Sequence, residues 1–429
     1  MFFAAYGFCR AFNANFVRLL WGYEMKLWQK VIAGLLLGVV AGYFLKEDAA
    51  YLKPLGTIFI NLIKMVIVPL VFFALVSGVT NMGAGKNVSR VGFKSIFTFL
   101  FTAAFAVCIG LAAGALFKPG EGVSLHFEGT NAAIPAIKKE APSVGETLMS
   151  IIPDNALKAM VEGHILQVII FAIFTGITIN LVGDKAAKVR EVSQQTALVT
   201  FKMIELIVQL APYGVFGYMA WSVGTQGMDI LFSLAKLVVT VLAACLVQYI
   251  LFGVFILVFA RLNPMPFYRK MIEPQTLAFS TSSSKAALST TMRVLHEKLG
   301  VSSGSTNFVL PLGAAINMDG TAIYLGICAL FFAQATGVTL ESHDYLVLVL
   351  TCTLASIGAA GIPSGSLIFM GMVLSSVGLP IEGIGIIAGV DRVLDMFRTT
   401  LNITGDATIT LIVDKTEDTL NVKQYYKNV

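Results

Sequence analysis

Charge is scarce in this chain. Asp, Glu, Lys and Arg make up 13% of its 429 residues, about half the usual share of a soluble domain, and 56% are hydrophobic. That composition excludes an ordinary water-soluble domain with a charged shell. Cysteine is sparse as well. Cys9, Cys108, Cys245, Cys328 and Cys352 lie far apart, mostly in apolar runs, and no Cys-x-x-Cys occurs, so neither a disulfide framework nor a thiolate metal site follows. The four histidines are scattered. The net charge of +5 sits in the connections between apolar runs and makes no case for nucleic acid. Residues 1–24 carry aromatics and two arginines without a convincing cleavage signal. Met25 followed by Lys-Leu-Trp-Gln-Lys reads as an alternative start, and the leader receives no role.

Long uncharged runs are plentiful. Met65–Gly85, Ser95–Phe117, Ile165–Gly183, Leu206–Met228 and Leu237–Ala260 carry no charge and approach or exceed the roughly 20 residues that span a bilayer. Val31–Leu45 is shorter, with Trp28, Lys30 and Lys46 as flanking anchors. The chain reads as an all-α polytopic membrane protein with six conventional spans in residues 25–260. Lys26 and Lys30, Lys86, Arg90 and Lys94, Lys185, Lys188 and Arg190, then Arg261, Arg269 and Lys270 fall in alternate connections. The positive-inside rule then places the N-terminus in the cytoplasm. The connection from Phe117 to Gly163, with Lys138 and Lys139, runs against that rule.

After residue 260 the texture changes. Tyr345–Ile381 is free of charge for 37 residues; as one helix it would extend about 55 Å, against a hydrocarbon core of about 30 Å. Its middle, Ser356 to Ser366, is rich in Gly, Ser and Pro363, so two half-helices forming a re-entrant hairpin are expected. Thr281-Ser282-Ser283-Ser284 interrupts an earlier apolar segment in the same way. A span with a polar middle follows each interruption: Asn317-Met318-Asp319-Gly320-Thr321 after the first and Asp391–Asp406 after the second. Hairpin then broken helix, twice, is an inverted-repeat transporter pattern.

The second polar segment is the densest in chemistry. Asp391, Asp395, Arg398, Asn402 and Asp406 are offset by four, three, four and four residues, so a helix places all five on one face. A charge at the bilayer centre costs roughly 2.5–3.5 kcal/mol even on the lenient insertion scale, so such a stripe belongs in a polar cavity. Arg398 offers a bidentate fork for a carboxylate, and Asp395 suits an ammonium. Ser283, Ser284 and the Ile362–Ser366 tip (Ile362, Pro363 and Ser366 among them) offer hydroxyls and amides for a second carboxylate. Two anion sites and one ammonium site describe an acidic amino acid. Asp319, Asp406, Asn317 and Asn402 remain as oxygen ligands for hard cations. Plainer alternatives stay open: Asp391 pairing with Arg392 or orienting Arg398, Arg398 serving as a structural partner of Asp395, Asp319 capping its helix, and Met318 as packing.

Asn-Met-Asp-Gly-Thr at 317–321, the Ser-rich 281–284, Gly-Ile-Pro-Ser-Gly-Ser at 361–366 and Asp-x-x-x-Asp-x-x-Arg-Thr-x-x-Asn at 391–402 resemble the dicarboxylate/amino acid:cation symporter family, which contains the glutamate transporters. The resemblance covers most of the chain and is strongest from Glu273 to Asp406. It implies eight transmembrane helices plus two re-entrant hairpins, inverted repeats, a homotrimer in membrane lipid and an elevator-type movement. By this reading, residues 25–260 supply the scaffold and trimerisation domain with part of the transport domain. Residues 261–414 form the core transport domain, and 415–429 a cytoplasmic tail. The resemblance further implies Arg398 on the substrate side-chain carboxylate, Asp395 on its amino group, and Thr321, Thr399 and Asn402 around them. One sodium site would take Asp406 with backbone oxygens of Gly313, Asn317 and Asn402. Another would use carbonyls near Ala315 and at Ser356, Ile357 and Ala359. A third would use Asp319, Asn317 and Thr102. No cofactor is implied beyond the coupling cation, and the expected location is a prokaryotic inner membrane with both termini cytoplasmic.

The chain departs from the family pattern in places. Phe99 and Ala103 stand where Na⁺-coupled members often have tyrosine and serine. Ser282 and Met396 occupy the positions that often hold an extra arginine, and Lys285 beside the first tip is unusual. The expected activity is Na⁺-coupled import of L-glutamate and/or L-aspartate. The alternative within the class is a proton-coupled glutamate or C4-dicarboxylate carrier. A serine hydrolase on Ser283 or Ser284 would need a neighbouring His or Lys base, and Lys285 projects elsewhere. A channel is a further alternative.

Overall fold

The computed structural model describes residues 27–81, 88–123, 125, 152–358 and 365–427, and every regular element among them is helical. Helices α1 (Leu27–Leu45), α2 (Lys53–Asn81) and α3 (Val88–Phe117) come first. A short α4 (Ala156–Glu162) precedes α5 (Ile165–Val182), α6 (Ala187–Val208), α7 (Ala211–Gln226) and α8 (Asp229–Phe255). The remainder holds α9 (Met265–Thr281), α10 (Ser284–Arg293), α11 (Ser303–Ile316), α12 (Asp319–Thr336), α13 (Ser342–Gly358), α14 (Gly365–Ser376), α15 (Ile384–Thr416) and α16 (Val422–Tyr426).

Four stretches among the described residues are long and apolar enough to cross a bilayer: Arg90–Phe117, Gln167–Val208, Asp229–Ala260 and Ser303–Thr336. A fifth, Gln29–Val66 with Val68–Thr80, is bent by 41°. Pro69 inside α2 lacks the amide that would bind the Met65 carbonyl, which accounts for a bend there. The expected span Leu206–Met228 is not one element. The helix stops at Val208, and α7 restarts at Ala211 with Pro212 in its first turn, where a missing N–H is harmless.

The first interruption forms as expected. α9 ends at Ser282 in the left-handed conformation, with φ +50°. The Ser283 hydroxyl then caps α10 by accepting from the Ala286 amide at 3.3 Å, so the two helices fold against each other. The second interruption separates α13 from α14, which also pack together; its tip, residues 359–364, lies outside the described residues. The Asn317-Met318 break is present too, with Asn317 extended between α11 and α12. The second break within a span is absent. α15 runs unbroken for 33 residues, because it contains no proline and its isolated glycines cost only about 1 kcal/mol each. Its polar stripe is satisfied sideways, by neighbouring helices, not by opening the backbone.

Packing falls into two groups. α1, α2, α5, α6 and α7 pack mainly on one another, while α3, α8 to α12 and α14 gather around α15, and α13 is held mainly by α3, α12 and α14. α7 and α1 reach across to α15. Beyond α15 the chain folds back: Tyr425 on α16 is fully buried, in a cluster with Phe267, Met271, Leu295 and Leu411. The Lys270 ammonium ties this segment down by donating to the carbonyls of Lys298, Gln424 and Tyr425 at 2.9, 3.2 and 2.8 Å.

Candidate functional site

α15 puts Asp391, Asp395, Arg398, Asn402 and Asp406 on one buried face, none more than 8% exposed. Helical spacing alone places them in a row; what they touch depends on α12, α14, α3 and α8. The row divides into two clusters.

Arg398 is the centre of the first. Its Nη2 donates to Asp391 Oδ1 at 2.8 Å and to Asp395 Oδ1 at 3.1 Å. The guanidinium lies 3.9 Å from the centre of the Tyr324 ring on α12, a cation–π contact that suits a desolvated arginine. Ser366, at the start of α14, donates to Asp391 Oδ1 at 3.2 Å. Thr321 on α12 and Thr399 on α15 are buried as well. Among the described residues Arg398 Nε and Nη1 and Asp391 Oδ2 have no hydrogen-bond partner. Fully buried polar atoms left this way are costly, so this cluster has donors to spare for an anion.

The alternative pairing of Asp391 with Arg392 does not form. Arg392 Nη1 instead donates to Asp395 Oδ2 at 3.3 Å, because its position, one residue off the stripe, turns it toward the next turn of the helix.

The second cluster surrounds the break in α11–α12. Asn317 Nδ2 donates to Asp406 Oδ1 at 3.1 Å, and Thr102 on α3 approaches Asn317 Oδ1 at 3.4 Å. The Gly320 amide donates to Asn402 Oδ1 at 2.8 Å, and Asn402 Nδ2 meets the Met318 sulfur at 3.0 Å. Met318 is thus more than packing. Asp319 does not cap α12: its carboxylate is fully buried, with Gln248, Asn317 and Thr102 around it, yet among the described residues neither oxygen closes a well-shaped hydrogen bond. Two glycines let the carboxylates in. A Cβ on Gly313 would stand 2.9 Å from Asp406 Oδ1, and one on Gly405 would stand 3.0 Å from Asp319 Oδ2. Among the described residues no three His, Cys, Asp or Glu side chains gather as a metal site. The donors present are carboxylates, amides and a hydroxyl, the oxygen set that hard cations take.

Other expected residues are placed less directly. No hydrogen bond joins Ser283 or Ser284 to the stripe among the described residues; α9 and α10 reach α15 through Ala278 and Ala287 against Ile403. Ser356 is buried and donates to the Thr353 carbonyl at 2.7 Å, while Ile357 lies in the last turn of α13. Ala315 is exposed on α11. Ala359, Ile362 and Pro363 lie outside the described residues. Lys285 turns its ammonium to 5.6 Å from the Phe201 ring on α6. Sequence reasoning missed Tyr324 and Gln248. Gln248 was visible as the lone amide in the uncharged Leu237–Ala260 run, a polar group that a membrane helix retains for a reason. Nothing in the sequence marked Tyr324.

The model of the Sodium:dicarboxylate symporter family matches residues 27–416. The chain belongs to that family. A proton/sodium-glutamate symport protein of Bacillus subtilis (strain 168) is 35% identical over 400 residues, covering 91% of this chain and 93% of the relative. A C4-dicarboxylate transport protein of Paraburkholderia phymatum is 35% identical over 399 residues, covering 92% and 93%. A proton/glutamate-aspartate symporter of Bacillus subtilis (strain 168) is 33% identical over 399 residues, covering 92% and 96%. Membership makes this protein an integral membrane, cation-coupled transporter of a small molecule and not an enzyme, which removes the hydrolase reading.

Proposed function

We propose that this symporter imports L-glutamate and/or L-aspartate, with Na⁺ as the main coupling ion. The observation that carries the reading is the Arg398 guanidinium, buried at the centre of α15 on two carboxylates, with Nε and Nη1 unpartnered among the described residues. An acidic side-chain carboxylate would take those free donors, and its ammonium would compete for Asp395. Ser366, Thr321, Thr399 and Asn402 would surround the substrate, with Ser283 and Ser284 supplied by the first hairpin. Family membership supports the further readings of eight transmembrane helices with two re-entrant hairpins, a scaffold in 25–260, a transport core in 261–414, a homotrimer, elevator-type movement and cytoplasmic termini.

For the cation, Asp406 with Asn317, Asn402 and Gly313 would form one site. Asp319, Asn317 and Thr102, with Gln248 added, would form another. Several oxygens converging on a carboxylate suit a metal ion; a proton needs only one. The proton-coupled reading is favoured by one observation: Phe99 and Ala103 are buried beside Thr102 and supply no hydroxyl. The Asp319 site is therefore the weaker Na⁺ site or is served by a proton. Uptake of labelled glutamate, aspartate and succinate into proteoliposomes, with Na⁺ and proton gradients imposed separately, tests the whole reading. Acidic amino acid uptake that needs Na⁺ supports it. Full uptake from a proton gradient without Na⁺ replaces the coupling ion, and succinate uptake without amino acid uptake replaces the substrate.

A further inference from the structure

Arg392 is a charge that the substrate and cation readings leave unused. It sits one position off the polar row, only 15% exposed, beside an apolar crevice lined by Val31, Phe59, Leu367 and Ala388. A guanidinium is an expensive lining for such a place. Its Nε has no partner among the described residues, and its contact to Asp395 Oδ2, at 3.3 Å, is longer than the usual 2.7–2.9 Å of a charge-assisted bond. The fork is therefore loosely held. Asp395 meets Arg398 through one oxygen and Arg392 through the other.

We infer that Arg392 is a positioning residue that sets how strongly the site distinguishes amino acids from dicarboxylates lacking an amino group. The inference rests on the acidic-substrate reading above. Asp391 and Asp395 bring two negative charges and Arg392 and Arg398 two positive ones, so the four side chains are neutral together. A dianion without an ammonium then meets no net repulsion. An incoming ammonium must compete with Arg392 for Asp395 Oδ2, since a carboxylate has few lone-pair positions. Arg392 thus restrains the preference for amino acids and keeps the site tolerant of C4-dicarboxylates. Without it, Asp395 would be freer for an ammonium and more repulsive to succinate.

The test compares wild type, Arg392→Gln, Arg392→Met and Arg392→Lys in proteoliposomes, reading the ratio of succinate to aspartate concentrations that halve labelled aspartate uptake. Gln and Met should raise this ratio about tenfold, a modest effect for one charge at a partly buried site, and Lys should restore most of the wild-type ratio. Met keeps a long, adaptable apolar side chain against the crevice and covers the case in which Gln does not fold. In an Asp395→Asn background, read with labelled succinate, the same substitutions should change the ratio much less, since the competition for the ammonium runs through that carboxylate and only the direct effect of the charge on a dianion remains. A purely structural Arg392 would lower uptake with the ratio constant in every variant, and that result overturns the assignment. A wild type that carries succinate but no amino acid instead sinks the substrate reading, and this inference with it.

Discussion

Arg398→Ala is the sharpest perturbation of the site. In the folded protein the guanidinium is completely buried and lies 2.8 Å from Asp391 and 3.1 Å from Asp395. At an effective dielectric of about 20, each contact is worth roughly 5–6 kcal/mol before desolvation is counted. Removing one partner of a buried pair typically costs about 3–5 kcal/mol, because the carboxylates left behind keep their desolvation cost and lose their counter-ion. The Tyr324 contact adds about 1–2 kcal/mol. Two losses should therefore be separable. Stability should fall, and Asp391→Asn in the same background should recover part of it by removing one stranded charge. Affinity for aspartate should fall at least a hundredfold, equivalent to about 2.7 kcal/mol, and neutralising Asp391 should not restore it. Labelled aspartate uptake, with thermal unfolding of the purified protein as control, measures both. Unchanged aspartate uptake in Arg398→Ala would refute the assignment, as would a loss fully recovered by Asp391→Asn, since that pattern belongs to folding alone.

Asp395→Ser should shift preference toward dicarboxylates, because an ammonium loses its counter-ion and a dianion loses a like charge; competition of labelled aspartate by succinate reads the shift, and an unaltered ranking counts against the role. Asp406→Asn should raise the Na⁺ concentration for half-maximal uptake several-fold while leaving the proton-driven component small; an unchanged Na⁺ titration would remove Asp406 from the cation site. At the end of α15, Lys94 and Arg90 meet Glu417 at 2.9 and 2.6 Å and hold its carboxyl below the ordinary range. That small stabilisation is full above the ordinary carboxylate range and fades as pH falls through the lowered value. Glu417→Gln should therefore lower the unfolding temperature near neutral pH and flatten its decline in acid, and parallel wild-type and mutant profiles would count against the pairing.

The helical row of Asp391 to Asp406 was legible because helical spacing is local: offsets of three and four put side chains on one face whatever the rest of the chain does. The first interruption was legible as a serine-rich break in an apolar segment, and the Asn317-Met318 break as a polar stretch in the middle of a span, where irregular backbone is tolerated if it lines a cavity. The same reasoning overreached at α15. Charges there looked like a reason to open the backbone, and the structure answers them with side chains from α12 and α14 while the helix continues. The Leu206–Met228 run likewise had a membrane-spanning composition and still breaks before Ala211, because Pro212 starts a helix more readily than it continues one.

By itself, the sequence determined that the chain is an all-helical membrane protein, and that one late helix carries a charged face whose residue types point to an acidic substrate and a hard cation. Composition, run length and periodicity are properties of neighbouring residues, so they can be read without folding the chain. Partnership was decided only by tertiary structure. Asn317 reaches Asp406 across 89 residues and Gly320 reaches Asn402 across 82. Gln248 and Tyr324 enter from helices that the row cannot specify, and Arg392 joins Asp395 and not its neighbour Asp391. Which buried polar group meets which depends on how helices cross, and crossing is fixed by the packing of the whole apolar core around α15.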